Sequence, residues 1–251
     1  MNDFIADDDR ERLHSQGLAD FDALWTLPLE AVDEPNTERG GMSCVFRLEL
    51  DGGAYYLKRQ SNHLTRSLLR PGGEPTFARE FRNIQRYQQL GIPALQAAFF
   101  GERREGRERR AILVTRALDG WRDLDAWLKD WSGLPAERRQ AILHACGMLA
   151  RRLHEAGQMH GCFYPKHIFL REAEDGFQAC LIDLEKTRPL WFGLRDRVKD
   201  LEPLLRRAPD WSEVDVRQLL AAYLGSAASG AEVDHWYKRL GARRRKKEKR
   251  G

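Results

Sequence analysis

Long apolar runs are missing from this sequence. No stretch approaches the roughly 18 to 20 uninterrupted apolar residues that span a bilayer, so no transmembrane helix is expected. The opening residues, MNDFIADDDRERLHSQ, are acidic where a secretory leader would be basic and then apolar, and a cytoplasmic location follows as the expectation. Cysteine is scarce as well. Cys44, Cys146, Cys162 and Cys180 show neither CxxC spacing nor neighbouring histidine ligands, which argues against zinc and for free thiols in a reducing compartment. No internal repeat is visible.

What is present describes a folded, soluble chain. Its 251 residues are 42% hydrophobic and 32% charged, with 7 Trp and 11 Phe, too rich in core-forming residues for a disordered protein. That length suits one large domain or two lobes. The net charge of +4 is unevenly placed: Arg243, Arg244, Arg245, Lys246, Lys247, Lys249 and Arg250 against Glu248 make the tail strongly cationic and leave the body at about −2. Such a tail suits anionic lipid headgroups or nucleic acid, or stands simply as a solvated extension.

Along the chain, residues 1–20 read as loose or as a short helix. CVFRLEL and AYYLKRQ, joined by an Asp-Gly turn, predict a β-hairpin. Residues 61–75, with Pro71, Gly72, Gly73 and Pro75, read as a loop. FAREFRNIQRYQQLG then carries Phe77, Phe81, Ile84, Tyr87 and Leu90 at helical spacing. Two further strands, LQAAFFGE and RRAILVTRAL, flank the charged segment GERREGRER. After these the chain turns helical: DLDAWLKDW, then a long amphipathic helix opened by Pro135 and closed by Gly157. The loop HGCFYPKHIFL leads to two short strands around IFLRE and ACLIDLE, and a helix-rich remainder runs from about Asp196 to Leu240.

Two sets of residues stand out against this background. Lys58 lies on the second hairpin strand and Glu80 on the helix that follows, a placement from which they can meet as a phosphate-orienting ion pair. The commoner outcome for such a Lys and Glu is plain solvation. Further on, His160 follows the long helix and Asp183 follows the small hairpin, in the order helix, loop, strand, turn, strand, Asp.

With that order of elements the sequence resembles the lipopolysaccharide kinase family, the InaA-like proteins and the heptose and Kdo kinases of the inner core, over roughly residues 36 to 225. The resemblance implies an α+β, bilobal protein-kinase-like fold: a small antiparallel β-sheet lobe with one helix, and a mainly helical lobe. The corresponding boundaries are 1–35 for an N-terminal extension, 36–117 for the nucleotide-binding lobe, 118–241 for the helical catalytic lobe and 242–251 for the basic tail. It implies ATP and Mg2+ as cofactors and a lipopolysaccharide core or lipid A-core acceptor, with peripheral contact at the inner membrane through the basic tail and the Arg-rich segment 103–110, and with no specific nucleic-acid partner.

Laid on the kinase pattern, His160 matches the catalytic-loop His, Cys162 falls where the catalytic Asp belongs, and His167 falls at the metal-binding Asn. Asp183, in Asp-Leu-Glu, matches the metal-binding Asp of DFG. Asp200 resembles the Asp that braces the catalytic loop, and Gly40 and Gly41 stand in for a degenerate Gly-rich loop, although a Gly pair before a strand is most often only a turn. Cys162 is the departure that matters, because a thiol is a poorer hydrogen-bond acceptor than a carboxylate and is mostly protonated near neutrality. It keeps open a pseudokinase that binds nucleotide or a partner without transferring phosphate. A cysteine-hydrolase reading, with His160 as base, lacks an oxyanion-hole or Asp/Asn partner pattern. His63, His144 and His154 read as packed or surface side chains.

Overall fold

The Asp51-Gly52 dipeptide turns the chain between β2 (Met42–Leu50) and β3 (Gly53–Ser61), which pair in antiparallel register with Val45 opposite Lys58. The structure, a computed structural model, describes residues 3–37, 40–67 and 70–248. Lys249 and Arg250 of the cationic tail lie outside the described residues. The chain divides into two compact units, Met1–Gln89 with Leu95–Asp119, and Leu90–Ala94 with Gly120–Gly251.

The first unit is built on a five-stranded sheet in the order β1-β6-β7-β3-β2, with β1 at Phe4–Ile5, β6 at Ala97–Glu105 and β7 at Glu108–Arg116. Alternation along the strands sorts its side chains between two faces. Tyr55, Leu57, Phe99, Ile112 and Val114 point to one face, where α1 (Asp7–Ser15) and α2 (Phe21–Thr26) bury Leu13, Phe21 and Leu24 against them. Of the two readings for this stretch the short helix is the one that forms: residues 3–20 supply β1 and α1, which help to close this core. On the other face α3 (Thr76–Gln89) stacks Phe81 on Phe100 with ring centroids 4.3 Å apart. Lys58, next to Leu57 on β3, faces α3 by the same alternation.

Two expectations for this unit change. The Pro- and Gly-rich segment 61–75 pairs as β4 (Leu64–Ser67) and β5 (Arg70–Pro75); prolines are tolerated because this hairpin stands outside the main sheet. The charged run 103–110 is strand almost throughout, interrupted only at Gly106-Arg107. Its arginines pair within the unit: Arg103 makes a bidentate contact with Asp3 at 2.7 Å, and Arg110 binds Glu105 and Glu108. Arg103 and Arg110 are thereby tied into the fold, while Arg104 and Arg107 remain exposed.

The second unit is mainly helical. α4 (Leu124–Lys129) is capped by Asp123, which accepts from Ala126 N–H, and α5 (Ala136–Glu155) starts after Pro135. α5 packs on α7 (Glu213–Leu224), whose start is fixed by a Ser212/Asp215 capping box. The unit also holds a two-stranded ribbon of β9 (Gln158–Met159) and β12 (Arg188–Pro189), and a sheet ordered β11-β10-β8, formed by β8 (Arg122–Asp123), β10 (Ile168–Ala173) and β11 (Gly176–Leu181). α6 (Leu194–Arg206) and α8 (Gly230–Glu248) complete the unit, and α8 carries helix into the segment read as a solvated tail. Among the described residues no helix is long and apolar enough to cross a membrane.

Candidate active site

In the first unit Lys58 Nζ donates to Glu80 Oε1 at 2.7 Å, with Glu80 almost fully buried and Lys58 about one-fifth exposed. The pair is positioned by a residue the sequence did not single out. Gln60 lies two positions along β3, hence on the same face as Lys58, and is 1% exposed. Its Oε1 accepts from Phe77 N–H and from the Thr76 hydroxyl, both at 2.8 Å, while its Nε2 donates to His63 O at 2.7 Å. Gln60 thus ties the first turn of α3 to β3 and sets the height at which Glu80, one turn further along, meets Lys58. The signal was present as a buried polar position on a strand, but periodicity alone cannot distinguish it from a solvated Gln.

The glycine pair has a backbone reason. Gly40 adopts φ +73°, and a Cβ on Gly41 would stand 2.3 Å from Asn62 C and His63 N. The chain here lies flat against the end of β3, where any side chain would displace it.

In the second unit the loop after β9 is held from below by Asp200 on α6. The buried Asp200 carboxylate accepts from His160 N–H and Gly161 N–H, each at 2.7 Å, and from His154 Nε2 at 3.2 Å. His154 Nδ1 in turn meets Tyr223 Oη at 2.9 Å, and burial pushes that phenol up to about 12. His160 is fully buried, its Nε2 donating to Ile182 O at 2.9 Å and its Nδ1 accepting from Cys162 N–H at 3.3 Å, a pattern that fits the Nε2–H tautomer. It joins the loop to the residue before Asp183. Gly161, between the two, was not singled out. Its φ of +80° and the 2.7 Å that would separate a Cβ from Lys186 O leave room for no other residue without movement.

Asp183 itself sits in the left-handed region at φ 57°, ψ 64°, one of two described non-glycine residues with positive φ. That conformation costs about 1 kcal/mol or more for a residue with a Cβ, and such strain concentrates at functional positions. It aims the carboxylate at His167: Oδ2 lies 3.2 Å from Nε2. The other ring nitrogen, Nδ1, donates to Cys162 O at 2.9 Å. In the neutral ring Nε2 therefore carries a lone pair that faces a carboxylate oxygen. Burial, the largest influence, lowers the His167 pKa and favours this neutral form, against the attraction of Asp183. Two electron-pair donors so close together would be reconciled by a cation shared between them. An oxygen ligand beside an imidazole, with further positions left to phosphate and water, fits a magnesium ion held mainly by its substrate.

Cys162 is 3% exposed, and it is the largest influence raising the pKa of the Lys186 ammonium. Lys186 is a further residue the sequence did not flag. A carboxylate at position 162 would find a counter-ion already in place.

Thus Lys58 and Glu80 meet in one unit, and His160, Cys162, His167, Asp183 and Asp200 form a connected set in the other. A Lys–Glu pair on an antiparallel sheet and its helix, with a braced His loop and a strained Asp after a small hairpin, define the class: a protein-kinase-like fold. The fold agrees over its length with the solved structure of WaaP in complex with acyl carrier protein, at a TM-score of 0.69 and 23% identity, covering 97% of this chain and 99% of that one. The family model of the lipopolysaccharide kinase (Kdo/WaaP) family matches residues 22–223, and this chain belongs to that family. It is 34% identical to Protein InaA of Escherichia coli (strain K12) over 206 residues, 78% of this chain and 93% of that protein.

Proposed function

We propose that this protein is an ATP-dependent phosphotransferase that phosphorylates a hydroxyl on an inner-core sugar, heptose or Kdo, of lipopolysaccharide. Family membership supports the reaction class. The observation that carries the assignment to these residues is the Asp183 carboxylate held 3.2 Å from His167 Nε2 on a strained backbone.

In this reading Lys58, fixed by Glu80 and indirectly by Gln60, presents its ammonium to the α- and β-phosphates. Gly40 and Gly41 offer backbone without side chains to the same phosphates. Asp183 and His167 would hold magnesium, which would supply neutralisation of charge on the transferred group. The acceptor oxygen bonds to the γ-phosphorus, the bond to the β-phosphate oxygen breaks, ADP departs and the hydroxyl proton is released. His160 and Asp200 keep the loop in place without touching the reacting atoms. Because phosphoryl transfer rests mainly on positioning and charge neutralisation, Cys162 slows it by weak acceptance of the hydroxyl hydrogen bond without stopping it. The acceptor, lipid A-core, brings the reaction to the cytoplasmic face of the inner membrane, where the basic end of α8 adds attraction to anionic headgroups.

Transfer from labelled ATP to purified core lipopolysaccharide, lost in Asp183→Ala while the melting curve is kept, is the expected result. Cys162 favours one other reading, a pseudokinase acting as a nucleotide-binding or regulatory scaffold. Binding of ATP with no transfer by the parent protein would establish that reading and remove the first.

A further inference from the structure

Exposed large apolar side chains are few among the described residues, and three of the seven fall within four consecutive positions: Trp191 at 67%, Phe192 at 61% and Leu194 at 37% exposure. They occupy the turn between β12 and α6, outside every contact of the site described above. Scattered exposed hydrophobics need no explanation, whereas adjacent aromatics on one protruding turn do.

This turn is built rather than slack. The buried Asp196 carboxylate forms a bidentate pair with Arg188 at 2.9 Å and accepts from Trp191 N–H at 3.0 Å and Phe192 N–H at 3.2 Å. Leu190 N–H donates to Gly157 O at 2.8 Å, and Arg195 N–H to Phe192 O at 3.0 Å. Five anchors thus hold the backbone while the two rings remain in solvent. A fixed turn has already lost the conformational entropy that docking would otherwise cost.

The rings are framed by cations. Arg188 stacks 4.4 Å from the Trp191 centroid and Arg195 lies 5.6 Å from that of Phe192. Lys199 stands one helical turn beyond Arg195, exposed on the same side of α6. Asp196, the acid of this segment, is buried and neutralised by Arg188. Exposed Trp and Phe flanked by Arg and Lys, with no exposed acid between Leu190 and Lys199, match the chemistry of a bilayer interface: rings settle at headgroup depth and cations meet lipid phosphate. A protein groove would equally take apolar rings but gives no reason for the exposed Arg195 and Lys199 beside them.

We infer that the Trp191–Arg195 turn is a membrane-docking element that seats this protein on an anionic bilayer surface, with Trp191 and Phe192 entering the headgroup layer and Arg195 and Lys199 contacting lipid phosphates. The inference does not depend on phosphotransfer, since its assay contains no nucleotide.

The test is cosedimentation of the full chain with vesicles of phosphatidylethanolamine and phosphatidylglycerol, and with vesicles of phosphatidylcholine alone. The parent protein binds the anionic vesicles. Trp191→Ser with Phe192→Ser weakens partitioning about tenfold or more, with an unchanged melting curve because both side chains are exposed. Arg195→Glu weakens binding by about fivefold or more on anionic vesicles and leaves the phosphatidylcholine result unaltered. Trp191→Phe keeps binding but loses the larger part of the tryptophan quenching by brominated lipid. Binding unaffected by the Trp191/Phe192 change would assign the contact to the cationic end of α8 and overturn the inference. So would absence of vesicle binding together with concentration-dependent self-association abolished by the same double change.

Discussion

Asp200 offers the sharpest test of how the loop at His160 is held. Replacing it with Ala removes the acceptor for His160 N–H and Gly161 N–H, both at 2.7 Å, and for His154 Nε2. Each buried donor left without a partner costs about 1–3 kcal/mol. Two backbone donors and an imidazole, partly rescued by water near Gly161, give a loss of about 3–5 kcal/mol, in the range for breaking a buried charged contact. At about 2–4 °C per kcal/mol for a protein of this size, the melting temperature falls by roughly 6–20 °C. Asp200→Asn keeps one acceptor oxygen but turns an amide N–H₂ toward the second donor, so its loss is about half as large. Differential scanning calorimetry of both variants reads these shifts, and phosphotransfer measured well below either midpoint reads the loop itself. An Asp200→Ala protein that melts within about 2 °C of the parent and transfers phosphate normally would refute the idea that this carboxylate braces the loop.

Lys58→Met and Glu80→Gln should each lower kcat/KM by about a hundredfold, with the double variant little worse than either single one, because the two side chains act as one unit; strictly additive losses would argue that they act separately. Cys162→Asp should raise the rate of transfer by about a hundredfold, since Lys186 is already placed to receive a carboxylate; an unchanged rate in a folded variant would show that position 162 does not face the acceptor hydroxyl. Thiol reagents should label Cys44 first and leave Cys146 and Cys180, whose thiols burial pushes up to about 12, unmodified until the protein is denatured. Because burial also raises the Cys44 pKa above that of a free thiol, its labelling rate should go on climbing after a free thiol has fully ionised, and a plateau near neutrality would contradict that.

Much of this molecule was legible before its coordinates. The Asp51-Gly52 turn, the apolar spacing of α3 and the Pro135 start of α5 are local signals, and each element formed where its signal lay. Segment 61–75 was misread because prolines and glycines indicate loops by composition, whereas β4 and β5 form a separate hairpin that tolerates them. Segment 103–110 reads as a loop because it is charged, whereas it continues β6 and β7, and Asp3, the partner of Arg103, lies 100 residues away. The same distance hid Asp9, fully buried, which accepts from Tyr55 Oη at 2.8 Å and Arg116 Nε at 3.0 Å. Lys58 with Glu80 and the surroundings of Asp183 could be picked out by element order, while Gln60, Gly161 and Lys186 depend on close approaches that no linear pattern encodes.

The docking of the first residues onto β6 and β7 has a consequence for synthesis. Asp3 meets Arg103 and Asp9 meets Arg116 across 100 and 107 residues of intervening chain. A ribosome therefore releases β1 and α1 long before their partners exist, so these elements settle only once β6 and β7 have been made. At about 5–20 residues per second that wait lasts several seconds or more, a window in which Leu13, Leu18 and Phe21 stand uncovered and chaperones find their opportunity.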